Sequence, residues 1–229
     1  MKPWLKKGWV IPPEQSSDFV ANMEIVLDVY REPYREEFPV VCMDESPKQL
    51  IKETRLPILS SPGHLAKYDY EYERCGVCNI FLSSEPLAGK RFVEITERKT
   101  KTDWALFIEK IANEYPKAKK ITLVMDNYDT HKPGSFYDAF LPEKAKLLLD
   151  RFNFVYTPKH GSWLNMAEIE LNVLNSQCLN RRIDNLPKVI RECISWQKHR
   201  NNMNAKINWQ FTTKDARIKL KRLYPTLQA

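Results

Sequence analysis

The sequence predicts an α/β fold, a mixed sheet flanked by helices, with a helical N-terminal lead-in and a basic C-terminal extension. Three observations predict it. Short apolar runs rich in β-branched residues alternate with longer segments whose apolar residues recur at helical spacing. The first three short runs leave no room for helical crossovers except within 46–74, which calls for antiparallel pairing at the start. Net charge is +7 overall but +9 within 181–229, which leaves −2 for the rest and places a basic region on a near-neutral body.

Each element has a local reason. Residues 1–16 are rich in Pro, Trp and Lys and read as an extended lead-in. Ser16 or Ser17 can cap a helix whose buried face is Phe19, Val20, Met23, Val26, Leu27 and Tyr30. The charged stretch 31–39 holds two prolines and reads as a loop. Val40 to Met43 form a short apolar strand ending at Asp44, and 46–74 read as irregular, with Pro57, Pro62 and Gly63. Strands follow at 77–82 and 91–96, joined by a turn. Thr102 is the expected cap of a helix burying Trp104, Phe107, Ile108 and Ile111, stopped by Pro116. A strand over 121–125 ends at Asp126, a loop covers 127–135, and one helix runs to about residue 151. A strand over 154–156, a turn over 159–162 and a helix over 164–180 come next. A further helix over 186–203 is expected to bury Val189, Ile190, Cys193 and Ile194, before a mixed apolar and basic tail over 209–224. Trp104, Trp163, Trp196 and Trp209 read as core residues rather than base-stacking platforms.

At 229 residues the chain suits one domain with additions. The reading divides it into a lead-in and helix (1–38), a catalytic domain (39–204) and a basic tail (205–229). No run of 18 apolar residues argues for a membrane span, and the N-terminus lacks the apolar core of a signal peptide, which favours a cytoplasmic protein. Five cysteines, an odd number, argue against a disulfide framework, and the lone Cys75/Cys78 pair lacks the second ligand pair of a structural zinc site.

The chemistry lies in the acids. Two buried-looking strands each end in an aspartate, and a later helix carries Glu168. Three carboxylates brought together repel one another, and a divalent cation resolves that repulsion. Mg²⁺ or Mn²⁺, most simply two ions, can drive in-line displacement at a phosphodiester with no protein nucleophile. On this reading Asp44 is shared by both ions, and Asp126 and Glu168 each hold one. Neighbouring acids compete for the role. Strand alternation sends Asp44 and Glu45 to opposite faces. On a helix Glu168 and Glu170 lie about 200° apart, and position 168 shares a face with Leu164 and Leu171, which read as core-facing.

At these residues the chain resembles the catalytic region of bacterial insertion-sequence transposases of the mariner-like superfamily, with a DDE-type domain. Val40-Val41-Cys42-Met43-Asp44 resembles the strand of the first acid. Met125-Asp126-Asn127, followed by His131, resembles the second motif, and Leu164-Asn165-Met166-Ala167-Glu168 the third. The basic end from Trp209 to Pro225 is also similar. The resemblance implies a ribonuclease H-like fold, the acids Asp44, Asp126 and Glu168, a need for Mg²⁺ or Mn²⁺, and cleavage and strand transfer at transposon ends. It implies double-stranded DNA as partner and a homodimer or larger synaptic complex. Many relatives carry an N-terminal helix-turn-helix region, and the first acid at residue 44 leaves no room for one before it, so a separate helix-turn-helix partner frame is expected. A split-frame product, a truncated relic or a cut piece would each fit.

Further candidates surround the acids. Asn127 and His131 are auxiliary candidates; the imidazole either orients a water or phosphate or simply bonds within its loop. Lys159, His160 and Ser162 precede the Glu168 helix and suit phosphate contacts. Arg181 and Arg182 either contact a DNA backbone or simply complement the dipole at the end of their helix, and Lys214, Arg217 and Lys221 suit a DNA backbone equally well as a solvated helical face. Two rivals remain open: a ribonuclease H-like nuclease without strand transfer, and an inactive DNA-binding relic.

Overall fold

The computed structural model describes residues 14–226, so what the sequence reading expects of 1–13 and 227–229 lies outside the described residues. Helix α1 (Ser17–Arg31) precedes strands β1 (Val40–Glu53), β2 (Tyr72–Glu85) and β3 (Lys90–Thr96). Helix α2 (Lys101–Glu114) leads to β4 (Ile121–Met125), and α3 (Gly134–Ala139) and α4 (Pro142–Arg151) lead to β5 (Phe152–Tyr156). Helix α5 (Met166–Leu174) continues into a π turn over Asn175–Leu179, followed by α6 (Leu186–Asn202) and α7 (Thr213–Lys219).

The strands form one sheet in the order β3-β2-β1-β4-β5. The first three are antiparallel, as their short connections require, and β4 and β5 join in parallel through helical crossovers. Alternation along each strand feeds two separate cores. Cys42, Val124 and Val155 face a layer built from α1, α5 and α6. Val41, Met43, Leu123 and Met125 face a layer built from α2, α3 and α4.

Several boundaries differ from the sequence reading, each for a visible reason. Strand β1 does not end at Asp44 but runs on to Glu53. Its pairing with β4 stops at Cys42, so beyond that point it has an open edge, where Pro47 is tolerated. Of the segment read as irregular, 46–53 belongs to β1 and 72–74 to β2, while 54–71 forms no strand and only two isolated bridges around a turn at Pro62-Gly63. There Gly63 has φ +81°, as the third residue of a type II turn requires, and the His64 amide donates to the Ser61 carbonyl at 2.8 Å. The cap of α2 is Thr100, not Thr102: its hydroxyl and the Asp103 carboxylate satisfy each other's backbone amides, a reciprocal box worth about 1 kcal/mol. The helix expected through 151 breaks after α3 because Pro142 starts a new one.

In α6 the buried residues are Val189, Cys193 and Trp196, whereas Ile190 is only partly covered and Ile194 is 40% exposed. A helix face that spaces its contacts at 189, 193 and 196 leaves position 194 outside. Trp104 and Trp196 are buried, while Trp163 and Trp209 pack at the margin of the α1 layer. The basic C-terminal segment joins this core: Ala216, Leu220 and Leu223 pack in the same layer as α1. Among the described residues no helix is long and apolar enough to cross a membrane.

Candidate active site

The sheet register brings the two aspartates together. Cys42 and Val124 are paired in the parallel ladder, and two residues further along each chain lie Asp44 and Asp126. Neighbouring strands lie about 4.8 Å apart, so the two carboxylates fall within charge reach. Asp126 sits one residue past the end of β4.

The third acid is delivered by a cap. Asn165 is buried at the start of α5, and its side-chain oxygen accepts the Ala167 amide at 3.1 Å. Its amide nitrogen donates to the Met43 carbonyl at 2.9 Å and lies 3.3 Å from Asp44 Oδ2. One residue thus starts the helix and ties it to β1 beside Asp44. Glu168 stands in the first turn of that helix, half-buried, where the helix dipole favours a negative charge. From α1, the Tyr30 hydroxyl donates to the Leu164 carbonyl at 2.7 Å and fixes the approach to the cap.

The core-facing side of α5 is not the one the sequence suggested. Met166, Ala167, Glu170 and Leu174 are buried, and Leu171 only partly so. Glu170, not Glu168, is sealed in, held by Arg91 at 2.6 and 2.9 Å and by Arg200 at 3.0 Å. Both arginine partners lie far away in sequence, so the pairing leaves no local signal.

Electrostatics set the two aspartates apart from ordinary surface acids. Burial pushes Asp44 up to about 7; the Glu45 amide, donating to Oδ1 at 2.8 Å, pulls the other way, and the charges of Glu45, Asp126 and Glu168 raise it further. Asp126 is also raised by burial, yet lies below the usual carboxylate range because His131 bonds to it and adds charge. The His131 Nδ1 is 2.5 Å from Asp126 Oδ1, and Nε2 lies 3.2 Å from Glu45 Oε2, at ion-pair distance without hydrogen-bond direction. Burial alone would lower His131, but these two carboxylates take it up to about 9.

The other sequence candidates separate. Asn127, Lys159 and His160 line one cleft of about 560 Å³ beside the N-terminal end of α1, with Lys159 and His160 exposed. The Asn127 side chain accepts from Lys132. Ser162 opens the short turn whose carbonyl receives the Asn165 amide at 2.7 Å. Arg181 pairs with Glu192 at 2.5 Å. Arg182 bonds Glu53 and the carbonyls of Asp69 and Glu71, bracing the hairpin. Arg217 grips Glu24 through two bonds of 2.8 Å. Lys214 and Lys221 are exposed. Sequence reasoning put Tyr30 and Trp104 in the core and quoted Asn165 within the third motif, without giving any of them a part in the site; Asn165 had a further signal, an Asn placed to cap an apolar helical run.

Among the described residues no three side chains of His, Cys, Asp or Glu already stand close enough to enclose an ion. The donor chemistry nevertheless fits a hard divalent cation: oxygen ligands, mutual repulsion, and an Asp44 whose charge lacks a neighbouring cation.

Known proteins share the fold. A family model described as DDE superfamily endonuclease matches residues 39–190. No curated protein matches the sequence. Among solved structures, the Mos1 mariner paired-end complex with Mn is similar at TM-score 0.58 and 15% identity, over 87% of this chain and 61% of that one. The Mos1 strand transfer complex matches at TM-score 0.58 and 12% identity, over 87% and 60%. The paired-end complex with Mg matches at TM-score 0.57 and 15% identity, over 96% and 67%. These likenesses show the fold: a ribonuclease H-like mixed sheet flanked by helices. The chain spans about 60% of the length of the first two of these structures.

Proposed function

The chain belongs to the DDE superfamily of endonucleases, and we propose that it is the catalytic domain of a DNA transposase that cuts and joins strands at transposon ends. What supports this reading is geometry: the β1–β4 register puts Asp126 beside Asp44, and Asn165 ties the start of the Glu168 helix to β1 at the same place. The solved relatives are named as paired-end and strand-transfer complexes of a transposase, and two of them are named with Mn or Mg.

In this proposal Asp44, Asp126 and Glu168 would together hold Mg²⁺ or Mn²⁺, most simply two ions. When bound, such ions supply Lewis-acid activation of the attacking oxygen and stabilise the leaving one. The protein's own part is placement. Asn165 locks the α5 terminus to β1, so Glu168 and Asp44 keep their spacing. Lys159, His160 and Ser162 approach the same edge and are proposed to contact DNA phosphates, with Lys214 and Lys221 as further exposed cations. Arg181, Arg182 and Arg217 already serve Glu192, Glu53 and Glu24, which weakens their claim on DNA.

Pairing of two transposon ends calls for a second copy. The outer half of the β1–β2 hairpin supports this, because Leu56, Leu59, Leu65 and Tyr70 are each more than 80% exposed there. Recognition of the ends is proposed to come from a helix-turn-helix partner outside these residues.

The test is metal-dependent nicking and joining of DNA that bears the element's own ends, with the wild type compared with Asp126→Asn. Cleavage and joining that both vanish in the variant support the proposal. Cleavage without joining would instead make this a nuclease, and salt-dependent DNA binding with no cleavage would make it a relic.

A further inference from the structure

Strand alternation leaves Glu45 facing away from Asp44, into the layer of α2. Its carboxylate is 6% exposed, and a buried carboxylate is costly unless it has a partner. Its partner is His131, 1% exposed, whose two ring nitrogens face two different carboxylates: Nε2 toward Glu45 at 3.2 Å and Nδ1 toward Asp126 at 2.5 Å. Lys99, the other cation near Glu45, is 4.0 Å away and 42% exposed.

The ring is fixed from every side. Trp104 stacks on it with centroids 5.5 Å apart and an interplanar angle of 30°. The Tyr156 hydroxyl donates to the His131 carbonyl at 2.9 Å, and the His131 amide donates to the Tyr128 carbonyl at 3.0 Å. A loop histidine bonding only within its own loop needs neither a buried glutamate from another strand nor an indole behind it.

We propose that Glu45 and His131 are positioning residues that aim the Asp126 carboxylate into the metal site. Glu45 anchors the far nitrogen, so the near nitrogen holds Asp126 Oδ1 in one place. Among the described residues no hydrogen bond reaches Asp126 Oδ2, which leaves that oxygen for the ion. The inference rests on Asp126 being a metal ligand. Partners that orient a ligand from behind typically contribute roughly 10–100-fold in metal affinity or activity.

The experiment is a Mn²⁺ titration followed by electron paramagnetic resonance of the free ion, with thermal melting of each variant alongside. Glu45→Gln keeps the side chain's size but removes its charge, and is expected to weaken Mn²⁺ binding by less than Glu45→Ala does. Glu45→Ala is expected to weaken binding roughly 10–100-fold. Asp126→Asn separates the two readings. If it leaves Mn²⁺ affinity unchanged, the assignment of Asp126 fails and the inference goes with it. If it weakens binding while Glu45→Ala does not, the positioning role alone is wrong. A measurement on the wild type covers the case in which Glu45→Ala does not fold. In ¹⁵N-labelled protein, Mg²⁺ is expected to shift the His131 Nδ1 resonance while the Nε2 resonance stays put; an unmoved Nδ1 resonance overturns the proposal.

Discussion

Glu168 and Glu170 stand two residues apart on one helix, in opposite electrostatic surroundings. Glu170 is fully buried and meets two guanidinium groups, Arg91 and Arg200. Glu168 is half-buried, and its charge adds to that of Asp126 on Asp44; the buried cation on these acids, among the described residues, is His131. The first cluster is compensated from within the chain and bolts β3, α5 and α6 together. The second is short of positive charge, and a cation from solution can complete it. The difference separates a carboxylate that holds the fold from one proposed to do chemistry.

Substitution tests that separation most sharply. Glu168→Gln is expected to leave the melting temperature within a few degrees while cutting metal-dependent DNA cleavage by more than the roughly 100-fold that a mere supporting residue contributes. Glu170→Gln is expected to do the reverse. It strands the buried Arg91 and the partly exposed Arg200, at a cost of about 3–5 kcal/mol, which lowers the melting temperature by roughly 10 °C in a domain of this size. A Glu170→Gln protein that melts normally but cannot cleave, beside an active Glu168→Gln, would exchange the two roles.

How far this contrast was legible in the sequence depends on the distance over which each partner acts. Asp44 and Asp126 could be found because each follows an apolar run of its own strand. Preferring Glu168 over Glu170 by helix face used the wrong face, since Glu170 is the inward residue. Burial of an acid becomes tolerable only through Arg91 and Arg200, 79 and 30 residues away, and spacing along the helix cannot reveal them. The hairpin was misread for the opposite reason. Pro57, Pro62 and Gly63 are strong local signals, and they mark 54–71 correctly; what they hid is how far β1 and β2 extend on either side, with Pro47 tolerated on the edge of β1. The basic end was read as a tail because its lysines and arginines dominate the charge, although Ala216, Leu220 and Leu223 dock it in the α1 layer with Trp209, Phe211 and Tyr224 at the margin.

The shortage of positive charge has a pH signature. Asp44 titrates at about 7 in the folded protein and near 3.9 in an unfolded chain. Between those values the folded state keeps a proton that the unfolded state has lost, so stability falls as pH rises from 4 to 7. Above pH 7 the full cost is present. Asp44→Asn removes it, and in chelator at pH 8 the variant is expected to be more stable than wild type by on the order of 2 kcal/mol, with the gap closing toward pH 4. Urea melts at the two pH values check this. Addition of Mg²⁺ should narrow the gap at pH 8 by stabilising the wild type alone. An Asp44→Asn protein that is less stable than wild type at both pH values would mean that the aspartate is compensated after all.

The smallest effect probes the compensated side. Arg91 binds Glu170 through two nitrogens and also donates to the carbonyls of Gly89 and Ala205. Arg200 makes a single bond to Glu170, leaves its Nε without a partner, and borders an open cleft beside Cys178 and Trp196. Arg91 alone therefore balances the carboxylate, and Arg200 adds one charge-assisted hydrogen bond at the rim. Arg200→Gln, which keeps a donor there, is expected to cost about 1 kcal/mol, or some 2–4 °C in melting temperature, and to leave cleavage within about twofold of wild type. Calorimetric scans of Arg200→Gln beside Glu170→Gln measure the ratio directly. If the two cost the same, Arg91 does not balance Glu170 alone, and the three residues act as one indivisible unit.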